Sequence, residues 1–311
     1  LSKSGGIGTG STVRVWSYLD RLIMHLIYNI IKPTFKHVTS PLCLHLKGPS
    51  VIKQATQQIK NAISSQQFKY FLRLDIKSYY ASIDHKILLE QINDNYDDPI
   101  ILKYLKDIVT IAIDKGGKLN LPTKGLPLGS TLSPFFGALY LTKLDNIFDQ
   151  KNIFYLRYMD DIIVLVKTKR QYTKARKHIF RILRELKLRV SPRKTSMGLL
   201  EKGFHYLGVN YQVARTTCGN RNHVKPDCEK IQVTVDIHTR TSRRALDKVK
   251  TLRTYAVNPA AIQRYLTRWA TWWHHTSKLE TADLITNWIH YTKDNDKDLV
   301  WIGRGLLSLH N

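Results

Sequence analysis

Two short apolar runs, 152–157 (Asn-Ile-Phe-Tyr-Leu-Arg) and 162–166 (Ile-Ile-Val-Leu-Val), flank the tetrapeptide Tyr158-Met159-Asp160-Asp161. Both are rich in the β-branched and aromatic residues that favour strands, so the pattern predicts a β-hairpin with two adjacent aspartates at its tip. Upstream, Tyr70-Phe71-Leu72-Arg73-Leu74-Asp75-Ile76 predicts a buried strand with one acid at its end. Elsewhere apolar residues recur at helical spacing. From Val13 to Ile31 they are Trp16, Leu19, Ile23, Leu26, Ile27 and Ile30, a run that Pro33 is expected to close, and a second helix is expected over 50–63. Asp84 precedes Ile87, Leu88 and Ile92 as a helix N-cap; a helix over 100–113 then leads to a Gly116-Gly117 turn. A glycine-bearing loop from Gly125 to Leu132 feeds a helix with Ser133 as cap, Pro134 in its first turn, and Phe136, Leu139, Tyr140, Leu144 and Ile147 on one face.

Beyond the hairpin lie a helix over 170–186, a loop containing Ser191-Pro192-Arg193-Lys194, and three helices over 241–255, 259–276 and 281–291. Trp269, Trp272 and Trp273 in the middle one of these read as core. Helices and strands mixed in this way make the chain α+β. Its 311 residues exceed a single core and imply two or three packed subdomains.

Charge narrows the partner. Forty-nine Lys and Arg against 24 Asp and Glu leave +25, a field suited to nucleic acid. Between Lys167 and Lys194 there are twelve Lys or Arg and one acid, Glu185, too few anions for internal pairing, so an anionic ligand is favoured. No apolar run is long enough to span a bilayer and the start lacks a signal-peptide pattern, so no membrane is expected and the chain reads as cytoplasmic. Leu1 in place of Met implies that upstream residues are missing. Cys43, Cys218 and Cys228 form no disulfide framework, and Cys218-x4-His223-x4-Cys228 lacks the fourth ligand and short knuckle of a zinc site.

The paired aspartates bear the candidate chemistry. Adjacent carboxylates on a turn are costly unless a cation neutralises them, and hard oxygen donors suit Mg²⁺ or Mn²⁺. An acid-ended strand, a Gly-loop helix, an Asp-Asp hairpin, a basic helix and a Lys-bearing loop, in that order, compose a polymerase palm. There Asp75 and Asp160 approach from neighbouring strands to share two divalent ions roughly 3.5 to 4 Å apart.

Three motifs in order carry a family resemblance. The segment from Phe71 to Tyr80, the segment from Gly125 to Pro134, and Arg157-Tyr158-Met159-Asp160-Asp161 resemble the catalytic motifs of the reverse transcriptases. The resemblance is to the prokaryotic lineage of group II introns, retrons and diversity-generating retroelements. Ser191-Pro192-Arg193-Lys194-Thr195 resembles a fourth motif, and His205-Tyr206-Leu207-Gly208 the primer grip. The resemblance implies a right-hand polymerase: fingers over 1–70, a palm with an antiparallel sheet over 71–212 carrying a fingers insertion at about 86–122, and a basic helical thumb over 213–311. It implies two Mg²⁺ ions (or Mn²⁺) held by Asp75, Asp160 and Asp161 with the Ile76 carbonyl, and Lys194 acting on the leaving pyrophosphate. Tyr80 is then the gate against a ribose 2′-hydroxyl. Leu128 and Gly129 contact nucleotide and template, Arg14 is a triphosphate contact, and Tyr206, Leu207 and Gly208 seat the primer end. The implied partners are an RNA template, a DNA or RNA primer and deoxynucleoside triphosphates, with an accessory protein or structured non-coding RNA besides.

Leu128 stands where many relatives have Gln, which leans towards error-prone copying of the diversity-generating type, although that type has Ser-Gln where this chain has Ser133-Pro134. Whether the biology is retroelement or antiviral defence stays open. Two other functions stay in view: an RNA-binding maturase or scaffold with a retained palm, and an RNA-dependent RNA polymerase. Met159 and Tyr80 oppose the latter.

Overall fold

The computed structural model describes residues 16–269 except 37, 49–50, 116–117, 128, 150–152, 218–228, 238, 256–257, 259 and 263. In chain order the elements are α1 (Tyr18–Phe35), α2 (Val51–Ser64), β1 (Tyr70–Asp75), α3 (Tyr79–Ser82), α4 (His85–Asn93), α5 (Pro99–Val109), β2 (Ile113–Lys115), β3 (Lys118–Asn120), α6 (Ser133–Tyr140) and α7 (Thr142–Phe148). They continue with β4 (Phe154–Tyr158), β5 (Asp161–Val166), α8 (Lys169–Glu185), β6 (Ser196–Leu199), β7 (Phe204–Tyr206), β8 (Val209–Thr217), β9 (Glu229–Ile237) and α9 (Thr239–Thr254). Two compact units result: Leu1–Gly48 with Gln67–Leu199, and Pro49–Gln66 with Leu200–Asn311.

The first unit is built on an antiparallel sheet in the order β4-β5-β1-β6. Side chains alternate along a strand and directly paired residues share a face. One face therefore carries Leu72, Leu74, Ile162, Val164, Tyr155 and Arg157; the other carries Arg73, Asp75, Asp161 and Ile163. The apolar members of the first set join Ile179 and Ile182 of α8 and Phe136, Leu139 and Leu144 of α6 and α7 in one buried core.

Local chemistry explains the helix ends. Ser17 and Asp20 form a reciprocal capping box that starts α1. Contrary to expectation α1 runs through Pro33 to Phe35. The proline removes one backbone bond, while Ile31 and Phe35 on that last stretch are almost wholly buried and hold it in place. The face it buries is Met24, Ile27, Ile31 and Phe35, leaving Leu19, Ile23, Leu26 and Ile30 exposed. Asp84 caps α4 as expected, accepting the Ile87 N–H at 3.2 Å. Ser133 does not cap α6: it is the first helical residue and its hydroxyl donates to the Pro127 carbonyl at 2.7 Å. The single helix expected there breaks at Leu141 into α6 and α7. The helix expected over 100–113 stops at Val109, and Ile113 opens β2, which pairs with β3; the expected Gly116-Gly117 turn lies outside the described residues.

The second unit holds the meander β7-β8-β9. Strand β9 was absent from the sequence expectation, although Ile231, Val233, Val235 and Ile237 alternate with polar residues. Helix α9 matches the expected helix over 241–255 within two residues. The described residues of 260–269 are helical, within the second expected helix. The third expected helix, Trp272, Trp273 and the Cys218, His223 and Cys228 set lie outside the described residues. Among the described residues no helix is long and apolar enough to cross a membrane.

A fully buried ion pair sits on the core side of the sheet. Arg157 of β4 donates from Nε at 2.7 Å and from Nη2 at 2.5 Å to Asp145 of α7, and both side chains are 0% exposed. Asp145 also accepts the Tyr155 hydroxyl at 2.6 Å, and Arg157 Nη2 reaches the Ala138 carbonyl at 3.1 Å. Removing one partner strands the other charge. Asp145→Ala is expected to lower unfolding free energy by about 3–5 kcal/mol in urea titration. Asp145→Leu combined with Arg157→Met is expected to cost less than either single change, and an additive double variant would refute this account.

Candidate active site

Asp75, the last residue of β1, lies directly opposite Asp161, the first residue of β5. Paired residues project to the same side, so their carboxylates are neighbours. Asp160 occupies the two-residue turn that joins β4 to β5, and its carbonyl accepts the Ile76 N–H at 3.3 Å. Beyond Asp75 the chain keeps pairing with 189–191: Lys77 donates to the Arg189 carbonyl at 2.8 Å and Ser191 to the Asp75 carbonyl at 2.7 Å. In antiparallel alternation this turns the Ile76 peptide edge to the aspartate turn. Three acids distant in sequence, with Ile76 among them, thus share one edge of the sheet.

Two cations already engage these acids. Arg73, almost fully buried, donates to Asp161 at 2.8 Å and also to the Lys194 carbonyl. Lys194 Nζ, half exposed, lies 3.0 Å from Asp75. Burial nevertheless raises Asp161 to about 6, with Arg73 opposing and Asp160 and Asp75 adding to the rise. Asp160 is raised as well, by burial and then by Asp75, which outweigh Lys194 and Arg73. Burial is the main cause of both shifts, and the neighbouring carboxylates add to it.

The turn is held from beneath by residues that the sequence reading did not single out. Met159 adopts a left-handed backbone, φ 55°, which costs a side-chain-bearing residue roughly 1–2 kcal/mol. Its carbonyl accepts Arg157 Nη1 at 3.1 Å, and its N–H lies 3.2 Å from His45 Nδ1. His45 Nε2 in turn lies 2.9 Å from the Pro134 carbonyl, so a neutral ring protonated on Nε2 satisfies both bonds. Burial accordingly lowers His45 to about 4. The strained turn is clamped on both sides of Met159.

Tyr80 stands beside this edge on α3, its hydroxyl buried without a hydrogen-bond partner among the described residues. Burial and then Asp160 push it up to about 12. The Tyr79 and Tyr80 rings, 5.5 Å apart, close over Gly137 of α6, where an added Cβ would stand 3.2 Å from Tyr80 Cε1. Tyr79 donates to the Gly137 carbonyl at 2.5 Å. Glycine is what lets both rings approach the helix. The loop ahead of α6 is tied to the same segment, with Gly125 N–H to Ile83 at 2.7 Å and Leu126 N–H to Tyr80 at 2.8 Å, and it exposes Gly129 at φ 89°.

The structure therefore gathers Asp75, Ile76, Asp160, Asp161, Lys194 and Tyr80 in the first unit, with the Gly129 loop bonded to the Tyr80 segment. Leu128 and Arg14 lie outside the described residues. Tyr206, Leu207 and Gly208 belong to the second unit, where Leu207 (φ 50°) and Gly208 (φ 83°) form the tight turn of the β7–β8 hairpin. Thr241 of α9 donates to the Gly208 carbonyl at 3.2 Å.

Carboxylates and a peptide carbonyl are the hard donors a divalent cation takes, and the raised Asp160 and Asp161 are the charge it would relieve. Among the described residues no three acidic, His or Cys side chains converge tightly enough to hold an ion as they stand; here Lys194 and Arg73 occupy oxygens of Asp75 and Asp161. The donor chemistry fits such an ion.

The clamp predicts a pH signature. His45 stays neutral in the fold to about 4 but protonates near 6.5 when unfolded. The unfolded chain then binds the extra proton, so stability falls as pH falls through this window. Urea unfolding should lose about 2 kcal/mol from this group between pH 7 and pH 5, and His45→Gln should lose correspondingly less. Equal losses in both chains would remove His45 as the cause.

The family model described as reverse transcriptase (RNA-dependent DNA polymerase) matches residues 3–211. The putative COX1/OXI3 intron 2 protein of Saccharomyces cerevisiae is 26% identical over 134 residues, 42% of this chain and 14% of that protein. Protein YkfC of Escherichia coli is 19% identical over 227 residues, 61% of this chain and 60% of YkfC. The chain thus spans less than two thirds of either relative. Among solved structures, telomerase from Candida albicans in complex with a TWJ fragment of telomeric RNA matches in fold, with TM-score 0.50, 10% identity, and coverage of 92% of this chain and 56% of that one. The mixed helical and antiparallel architecture is a right-hand polymerase fold, and the chain belongs to the reverse transcriptase family.

Proposed function

We infer that this chain is an RNA-directed DNA polymerase that extends a primer 3′-hydroxyl with deoxynucleoside triphosphates on an RNA template. The observation that carries the reading is the placement of Asp75 directly opposite Asp161, with Asp160 on the adjoining strained turn. In this reading fingers span 1–70, the palm 71–212 with its insertion at about 86–122, and the thumb 213–311.

Asp75, Asp160 and Asp161, with the Ile76 carbonyl, hold divalent ions, Mg²⁺ or Mn²⁺. Bound there, such ions supply charge neutralisation at the reacting phosphate and acidify the attacking hydroxyl. The protein's own groups position the reactants, the larger part of catalysis in phosphoryl transfer. Lys194, half exposed and paired with Asp75, neutralises the leaving pyrophosphate. Tyr80, pinned by Gly137, walls the space where a ribose 2′-hydroxyl would project. The Gly129 loop presents backbone to template and incoming nucleotide, and the Tyr206-Leu207-Gly208 turn contacts the primer strand. Support for the RNA partner comes from the family, from the +25 charge, and from the telomeric RNA in the Candida albicans structure.

A finer assignment, to error-prone copying of the diversity-generating type, rests on Leu128. Equal misincorporation by the wild type and Leu128→Gln would remove it. The competing reading is an RNA-binding scaffold, favoured by the Arg73 and Lys194 ion pairs that partly satisfy the acids.

Extension of a DNA primer on an RNA template separates these readings. Asp160→Ala with Asp161→Ala is expected to lower the rate by at least about 10²-fold, and no extension by the wild type would favour the scaffold. Tyr80→Ala should relax preference for deoxy- over ribonucleotides by roughly tenfold or more. Gly137→Ala should change that preference too, with no contact to substrate of its own; unchanged discrimination in both variants would dismiss the gate.

A further inference from the structure

The face of the β1–β5 sheet away from Asp75 and Asp161 is covered by α8. Leu72, Leu74, Ile162 and Val164 on that face share the core with Ala175, Ile179, Ile182 and Leu183 of the helix. At about 100° per residue, those four helix positions centre on one direction and Arg170, Lys174, Lys177, Arg181 and Arg184 centre on the opposite one. All five cations are exposed. The one acid of α8, Glu185, is engaged by Lys143 at 2.7 Å and Arg181 at 3.8 Å. His178 is held below its usual range by partial burial and then by Arg181, Lys174 and Lys177. At the end of the helix the face opens into a groove of about 480 Å³ whose lining includes Phe180, Arg184, Lys187 and Arg189.

The chemistry of this face selects its occupant. A membrane-bound helix turns its apolar side to lipid, whereas the apolar side of α8 is buried on the sheet. Protein interfaces centre on aromatic or aliphatic anchors, and α8 exposes no large hydrophobic side chain. A row of cations along about 21 Å of helix, without anchors, matches a sugar–phosphate backbone.

We propose that the outward face of α8 is a second RNA-binding surface, on the side of the sheet away from the carboxylates, that holds the phosphate backbone of a double-helical segment of folded RNA. The inference rests on the reading that this chain acts on RNA. It adds that folded RNA is held at a place where no chemistry occurs.

The test uses the whole chain, a 3′-blocked RNA hairpin followed by fluorescence anisotropy, and the combined variant Lys174→Gln, Lys177→Gln, Arg181→Gln, Arg184→Gln. The variant is expected to bind the hairpin at least tenfold more weakly at about 0.1 M salt, with the slope of log affinity against log salt reduced by about three to four. Extension of a short primer–template should stay within twofold of wild type. The charge-preserving pair Lys174→Arg and Lys177→Arg should bind as wild type, and Asp160→Asn should bind the hairpin normally while losing extension. Wild-type affinity in the glutamine variant, or loss of extension in step with binding, overturns the proposal. Displacement of the hairpin by poly-glutamate or phosphatidylserine vesicles at equal charge concentration does so as well, assigning the face to an acidic protein or a membrane. A wild type that fails to extend primers while the glutamine variant still loses the hairpin refutes the polymerase reading and leaves this surface standing.

Discussion

The buried pair of Asp145 and Arg157 is the constraint on which the candidate site depends. Arg157 is the link: its Nε and Nη2 are satisfied by Asp145 and by the Ala138 carbonyl, while Nη1 holds the Met159 carbonyl. A guanidinium so committed has a single position, and the turn attached to it inherits that position. With His45 on the other side of Met159, the left-handed backbone of the turn is over-determined, the condition under which strain persists at a functional site. The acids on the opposite face are therefore placed by charges on the core face.

This division explains what the sequence disclosed. The Asp160-Asp161 hairpin was legible because β-formers bracket a polar tip, and Asp75 because one acid closes an apolar run. Asp84 was legible as a cap for the same local reason. The supports were not. Arg157, Arg73 and Asp145 have the composition of surface residues, and no periodicity announces that a strand arginine points into the core. His45 lies in a segment without regular structure, linked to the turn only through space. Gly137 resembles any helical glycine until two tyrosine rings are seen against it.

Errors in the elements have the same origin. Tertiary burial carries α1 past Pro33, and the bond from Ser133 to Pro127 replaces the cap that Ser133 would otherwise make. Strand β9 has a clear alternation that the abundance of charged helices downstream obscured. The local patterns were sound guides wherever the decisive contacts were local, as in the Asp84 cap that starts α4.

Strand β1 draws both of its neighbours from far along the chain: Arg73 meets Asp161 across 88 residues, and Asp75 meets Lys194 across 119. Closing such long loops is slow, and the strand keeps an unpaired edge until both closures are made. During synthesis β1 therefore waits, first for β5, which brings Asp161 opposite Asp75, and then for β6, whose closure brings Lys194 to the acid edge. A nascent chain ending before Ser196 carries an apolar strand with a bare edge, the arrangement that invites pairing with another chain.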